Sequence, residues 1–193
     1  MATRNESGIG TRDVVLIALF AAIIVVLGLV PPISLGVVPV PITLQTLGVM
    51  LAGAVLGPVR GALSCALVAL LTAVGLPVLA GGRGGIGIFL GPTGGYVVGW
   101  ILGALVTGLL VKHWVVRLNG RGAQIGAYVV ACVVGGILVV YLVGIPWLAV
   151  AGGLAFGKAL VGGMVFVPGD LIKAVIAGLV AQGVRRSYPM PVK

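Results

Sequence analysis

The chain has 193 residues, 60% of them apolar and only 8% charged, with a mean hydropathy of +1.29. That composition excludes a soluble domain, and three acidic residues, two of them in or beside the N-terminal tail, exclude paired-carboxylate chemistry. The net charge of +9 would suggest nucleic acid in a soluble protein; here it reads as the excess of Lys and Arg that membrane proteins keep in cytoplasmic loops.

No charge interrupts the sequence between Asp13 and Arg60, or between Arg83 and Lys112. Apolar stretches of about 20 residues cross a bilayer as helices, because lipid offers the backbone no hydrogen bonds. The first helix is expected over residues 13–30, opened by Thr11 or Asp13 and ended by Pro31-Pro32. No A-x-A cleavage pattern follows it, so it is expected to be retained. Ala18 and Ala22 sit one turn apart on it, a small-residue face suited to internal packing or to a partner helix.

Residues 31–42 carry Pro31, Pro32, Pro39 and Pro41 and no charge. An apolar loop of this kind should dip into the membrane or cover something, as a lid does. Thr43 and Gln45 follow as rare polar side chains at an otherwise aliphatic mouth, with Thr43 placed either to cap a helix or to touch a ligand. Two short helices are expected over 43–56 and 60–74, separated by Gly57-Pro58.

Residues 76–92 form a second loop with six glycines and Arg83. It is either a tight packed turn or a place where backbone N–H groups and a guanidinium meet an anion. The Lys-Ser/Thr of a nucleotide phosphate loop is missing. A fourth helix is expected over 94–116, with Tyr96 near its start at interface level. Lys112, His113, Arg117 and Arg121 surround the next turn, and His113 has no Ser, Cys or acid nearby to form a triad. A fifth helix should cover 123–143. Pro146-Trp147 then marks the interface, and a short helix over 154–164 with Lys158 should lie along the membrane. The last helix is expected over 168–184, closed by Arg185-Arg186. Cys65 and Cys132 lie inside apolar runs and read as packing residues.

Six spans divide the basic residues into two sets. Arg4, Arg12, Arg60, Lys112, Arg117, Arg121, Arg185, Arg186 and Lys193 fall on the side of the termini, and Arg83, Lys158 and Lys173 on the other. The bias places both termini in the cytoplasm. The expected fold is an all-α integral membrane protein of six transmembrane helices. It forms one membrane-embedded domain over 1–193, of which residues 1–12 are a cytoplasmic tail.

The last helix opens on Val167-Pro168-Gly169-Asp170-Leu171-Ile172-Lys173. Asp170 is the only acid beyond residue 13, and Lys173 shares its helix face. An ionisable pair in a membrane helix is either a self-neutralising ion pair or a functional site. Together with Arg83 and the proline loop it outlines a concave outer site for a small polar molecule with an anionic end. No metal-ligand cluster and no nucleotide-binding motif is present, so the chain cannot power transport by itself.

Val40-Pro41-Ile42-Thr43-Leu44-Gln45, Leu76-Pro77 with Gly81-Gly82-Arg83-Gly84-Gly85, Leu90-Gly91-Pro92-Thr93-Gly94-Gly95-Tyr96, and Pro168-Gly169-Asp170-Leu171-Ile172-Lys173 occur in that order. Together they resemble the BioY family, the biotin-specific S components of energy-coupling factor (ECF) vitamin transporters. The resemblance covers nearly the whole chain. It implies the ECF S-component fold, biotin as transported ligand with no further cofactor, and a binding rather than an enzymatic role. It implies a site drawn from Asp170, Lys173, Arg83, Tyr96, Thr43 and Gln45. It also implies partners: a transmembrane coupling protein of the EcfT or BioN type and ABC-type ATPases of the BioM type, with Ala18 and Ala22 as the docking face. The competing readings are an S component for another vitamin and a small intramembrane enzyme using Asp170 and Lys173 as acid and base.

Overall fold

The structure is a computed structural model that describes residues 9–34, 36 and 39–188. Arg4 and Lys193, and Leu35, Val37 and Val38 of the proline loop, lie outside the described residues. Among those described the chain is helical, with two isolated β-bridges, Ile33–Ile42 and Leu79–Arg83, closing turns.

The helices are α1 (Thr11–Gly28), α2 (Gln45–Leu51, continued as a π-turn over Ala52–Leu56), α3 (Pro58–Ala73) and the single turn α4 (Gly87–Leu90). They continue as α5 (Gly94–His113), α6 (Arg121–Ala151), α7 (Phe156–Met164) and α8 (Val167–Ser187). Among the described residues, α1, the stretch Gly94–Arg117, α6 and α8 are each long and apolar enough to cross a membrane, while α2 and α3 are shorter apolar helices.

Two expectations change. Thr43 does not cap α2: the cap position is Leu44, which makes no side-chain bond. The fifth expected helix does not stop at residue 143. It runs through Pro146 to Ala151, taking up a π-turn over Val134–Val139 on the way. Pro146 removes one N–H and leaves a carbonyl unmatched, yet breaking the helix in lipid would unsatisfy several groups at once. The proline is tolerated for that reason.

α5 is the central element, packed on α3 on one side and α6 on the other. Its contact face is small: Gly99, Gly103, Ala104, Thr107 and Gly108 are all buried. Lipid tails are as apolar as the side chains, so helices in a membrane are held by close packing rather than by hydrophobic collapse. Interior hydroxyls fold back on their own helices, as when Thr107 Oγ1 donates to the Gly103 carbonyl at 2.8 Å.

At the end of the bundle that holds the start of α1, Asp13 pairs with Arg60 at 2.6 Å, both side chains buried. Asp13 also accepts the Gly10 N–H at 3.1 Å, so one carboxylate caps α1 and ties it to α3. The same end holds the close of α8, where Arg12 donates to the Tyr188 hydroxyl at 3.1 Å. Arg83 and the start of α8 with Asp170 and Lys173 lie at the opposite end.

Candidate functional site

α8 begins with Pro168 and Asp170 in its first turn, and Lys173, three residues after Asp170, projects from the same face. Both are buried. The Lys173 ammonium donates to Asp170 Oδ1 at 2.8 Å, to Thr46 Oγ1 at 3.0 Å and to the Thr43 carbonyl at 2.6 Å. An ammonium has three protons, so all of its donors are engaged. Asp170 Oδ1 also accepts from the Thr46 hydroxyl at 3.0 Å, and Oδ2 from the Tyr141 hydroxyl at 2.6 Å.

Removing two charges from water is costly, and mutual attraction alone seldom offsets it; the added hydrogen bonds are what make the pair tenable. The result is a rigid, net-neutral polar floor shared by α2, α6 and α8. Oδ2 keeps room for a further donor, since a carboxylate oxygen accepts more than one bond.

Above this floor is a cavity of about 550 Å³, open at its mouth. The apolar walls are Val40, Pro41 and Ile42 of the proline loop with Leu79, Trp100, Val140 and Phe166. Tyr96 stands edge-on to Tyr141 at 6.2 Å and to Phe166 at 6.3 Å, forming an aromatic corner. Its hydroxyl is buried and has no hydrogen-bond partner. An orphaned buried hydroxyl is costly, and this one belongs to a residue of the cavity wall.

Arg83 lines the far wall. Its Nε donates to the Ala80 carbonyl at 3.1 Å and a terminal nitrogen to Thr93 Oγ1 at 3.3 Å, leaving three of a guanidinium's five N–H groups for a ligand. Burial lowers its pKa, a cost that an adjacent anion would relieve. The glycines position it. Gly81 and Gly82 have φ of +77° and +68°, left-handed values that let the chain reverse within the Leu79–Arg83 bridge. Several of the loop's own N–H groups are already taken: those of Leu79, Arg83 and Gly85 bond backbone carbonyls, and that of Ala80 bonds Gln45. Of this loop, Leu79 and Arg83 alone line the cavity, so an anion would meet the guanidinium and not a glycine cradle.

The structure thus brings Asp170, Lys173, Arg83, Tyr96, Thr43 and Gln45 around one cavity, in unequal roles. Thr43 offers its carbonyl to Lys173. Gln45 is 1% exposed, and its amide is committed to the fold. Nε2 donates to the Ile24 and Val78 carbonyls at 3.3 and 3.1 Å, and Oε1 accepts from Ala80 N at 2.9 Å. It clamps α1, α2 and the glycine loop together. Thr46, Tyr141, Trp100 and Phe166 also line this cavity, and the sequence reading misses them. Thr46 repeats from Thr43 the spacing of Asp170 and Lys173, a signal that could have found it; Tyr141 stands within an apolar helix with nothing local to mark it.

Far from this site, Ala18 and Ala22 lie exposed on α1 among Val14, Val15, Leu19 and Val26, while Ala21, Ile24 and Gly28 face the bundle. Cys65 and Cys132 are buried free thiols.

A model of the BioY family matches residues 1–190. A protein of Rhizobium etli described as biotin transporter BioY is 57% identical over 180 residues, covering 93% of this chain and 96% of that protein. Another so described, from Rhodobacter capsulatus, is 51% identical over 187 residues, covering 92% and 95%. Among solved structures, a chain described as the S-component for biotin from an ECF-type ABC transporter matches with a TM-score of 0.85 at 33% identity, covering 96% of this chain and 95% of that one. Full-length agreement in sequence and in fold leaves no part of the bundle to another lineage: this chain belongs to the BioY family.

Proposed function

We propose that this protein captures biotin at the outer face of the cytoplasmic membrane, as the substrate-specific S component of an ATP-driven ECF transporter. The observation that carries the reading is the cavity whose floor is the Asp170–Lys173–Thr46–Tyr141 network, in a chain of the BioY family. The protein is a transporter component and not an enzyme, and the multi-pass bundle sits in the membrane. The partition of basic residues supports six crossings with both termini cytoplasmic, the whole chain forming one domain. The exposed α1 face around Ala18 and Ala22 is the surface offered to a coupling protein of the EcfT or BioN type, itself driven by BioM-type ATPases.

Hydrogen-bonding capacity suggests an orientation. Biotin presents two ureido N–H groups, a ureido carbonyl, an apolar bicycle and a valerate carboxylate. Lys173 has no proton left to give, so the carboxylate goes to Arg83, whose free N–H groups form a fork suited to it. One ureido N–H goes to Asp170 Oδ2 and the ureido carbonyl to the orphaned Tyr96 hydroxyl. Thr43 and Gln45 hold the walls. The proline loop covers the mouth, and exclusion of water strengthens each contact.

Equilibrium titration of biotin into the purified, biotin-stripped protein in detergent, with desthiobiotin and lipoate as comparators, tests the reading. Tight one-to-one biotin binding is expected; no binding by a folded sample would sink it. Arg83→Gln should weaken biotin by about tenfold or more, since charge-assisted pairs are the strong ones, yet leave the affinity for biotinamide unchanged. Equal losses for both ligands would reverse the assigned orientation. Tyr96→Phe should leave thermal stability unchanged or slightly raised, because it deletes an unsatisfied hydroxyl. The same substitution should weaken biotin roughly two- to tenfold, the worth of one neutral hydrogen bond. Unaltered affinity would remove Tyr96 from the polar contacts.

A further inference from the structure

The end of the bundle opposite the biotin cavity holds a second opening of different chemistry. An open crevice is lined by Gly120, Arg121, Gln124, Gln182, Arg185 and Arg186, where α6 begins and α8 ends. Three guanidiniums line it without a carboxylate among the described residues: Asp13 is engaged with Arg60, and Asp170 with Lys173. Arg121 and Arg186 are exposed, Arg185 is half-buried, and Gln182 is buried among them at 7% exposure. The positive end of the α6 backbone adds to the same field.

The cytoplasmic excess of Lys and Arg accounts for which side these residues occupy. It does not account for their convergence, with two amide side chains, on one crevice. A second feature says what fills it. Leu179 stands two turns before Arg186 on the same face of α8, and Val175, Ile176 and Ile172 continue that face toward the opposite end of the bundle. Leu179, Ile172, Val175 and Ile176 are all exposed, at 50%, 64%, 46% and 42%. A basic crevice at the helix ends thus continues into an apolar stripe along one helix. That is the arrangement a phosphodiester headgroup with an acyl tail fits, and a free phosphate would have no use for the stripe.

We propose that this crevice is a binding site for an anionic phospholipid, its phosphate held by Arg121, Arg185 and Arg186 and an acyl chain lying along Ile172, Val175, Ile176 and Leu179. The headgroup site is independent of the biotin reading, because its arginines lie at the other end of the bundle, and the exposed stripe runs on the face of α8 away from Asp170 and Lys173.

The test uses the full chain, purified and delipidated in a neutral detergent and titrated with phosphatidylglycerol or phosphatidylcholine, bound lipid being counted by native mass spectrometry. Phosphatidylglycerol should bind about tenfold or more tightly than phosphatidylcholine, as expected for two or three arginines on one phosphate. Arg121→Gln with Arg186→Gln should bring the two lipids to near equality. Lys112→Gln with Arg117→Gln, on the same end but outside the crevice, should leave the preference intact. Gel filtration and helical circular dichroism report the fold, and Arg185→Gln alone carries the test should the double variant lose it. A preference that survives in the crevice variant, or that falls equally in the control, would overturn the site in favour of a diffuse basic collar. Displacement of phosphatidylglycerol by submillimolar inorganic phosphate or glycerol 3-phosphate would overturn the lipid assignment in favour of a soluble oxyanion.

Discussion

Asp170→Asn should weaken biotin binding more than tenfold, a charge-assisted hydrogen bond being worth roughly 1.5–3 kcal/mol. The substitution keeps the shape of the side chain and removes its charge. Oδ2, the acceptor with room for a ligand donor, loses its strength, and Tyr141 loses the anion that orients its hydroxyl. A second cost falls on the fold. Lys173 would be left as a buried ammonium with neutral partners alone, the Thr43 carbonyl, the Thr46 hydroxyl and the new amide oxygen, and breaking a buried pair by removing one partner costs on the order of 3–5 kcal/mol. The two effects separate in a double variant. Asp170→Asn with Lys173→Gln removes the orphaned charge and should recover much of the thermal stability, while biotin affinity stays low. Titration and thermal unfolding on the same samples make the comparison. If affinity recovers along with stability, Asp170 holds the floor together and does not touch the ligand.

Gly135→Ala should be among the most damaging methyl groups that can be added to the interior. Gly135 opens toward α5 in the π-turn of α6, and a Cβ there would overlap the Thr107 hydroxyl and the Gly103 carbonyl; from the other side, a Cβ on Gly103 would stand 2.6 Å from the Gly135 carbonyl. The obstacle includes backbone, so no rotamer change relieves it, and α5 cannot retreat because α3 packs against it. Overpacking of this kind costs about 1–3 kcal/mol, which for a chain of this size lowers the unfolding midpoint by roughly 2–10 °C. Gly126→Ala and Gly183→Ala are the comparators: a Cβ at either meets nothing within 4 Å, and the gain in helix propensity should make them neutral or mildly stabilising. A Gly135→Ala protein as stable as these two would mean that the crossing of α5 and α6 is looser than drawn.

Much of this molecule is legible in its sequence because charge is so scarce. Asp170 and Lys173 stand out in a chain that is 8% charged, and lipid leaves an isolated charge so few options that their pairing follows almost from their spacing. Helix ends at Gly57-Pro58 and Gly75 are marked by residues that cannot continue a helix. What stays hidden needs either distance or company. Asp13 and Arg60 are far apart in the sequence with nothing charged between them, and only the hairpin of α1 and α2 returns the chain to the same level. Tyr141 becomes a site residue only when α6 turns it toward α8. Pro146 misleads, because a proline ends a helix readily in water, where the broken turn finds other hydrogen bonds, and not in lipid. Gln45 belongs to the cavity that the sequence indicates, but in a different role. Its neighbours along the chain point to a mouth, and only the fold shows that its amide bonds three backbone groups.

That amide links two equilibria. Through Nε2, Gln45 is bonded to α1 at Ile24, on the face opposite Ala18 and Ala22, and through Oε1 to the loop that aims Arg83. Whatever grips the outer face of α1 tightly enough to shift or turn that helix also moves an anchor of the cavity proposed to hold biotin. Thermodynamic reciprocity then fixes the sign of the converse: if docking loosens the hold on biotin, an occupied site must weaken docking by the same factor. A carrier so built would release its cargo and keep its partner, or keep its cargo and leave the partner free for another.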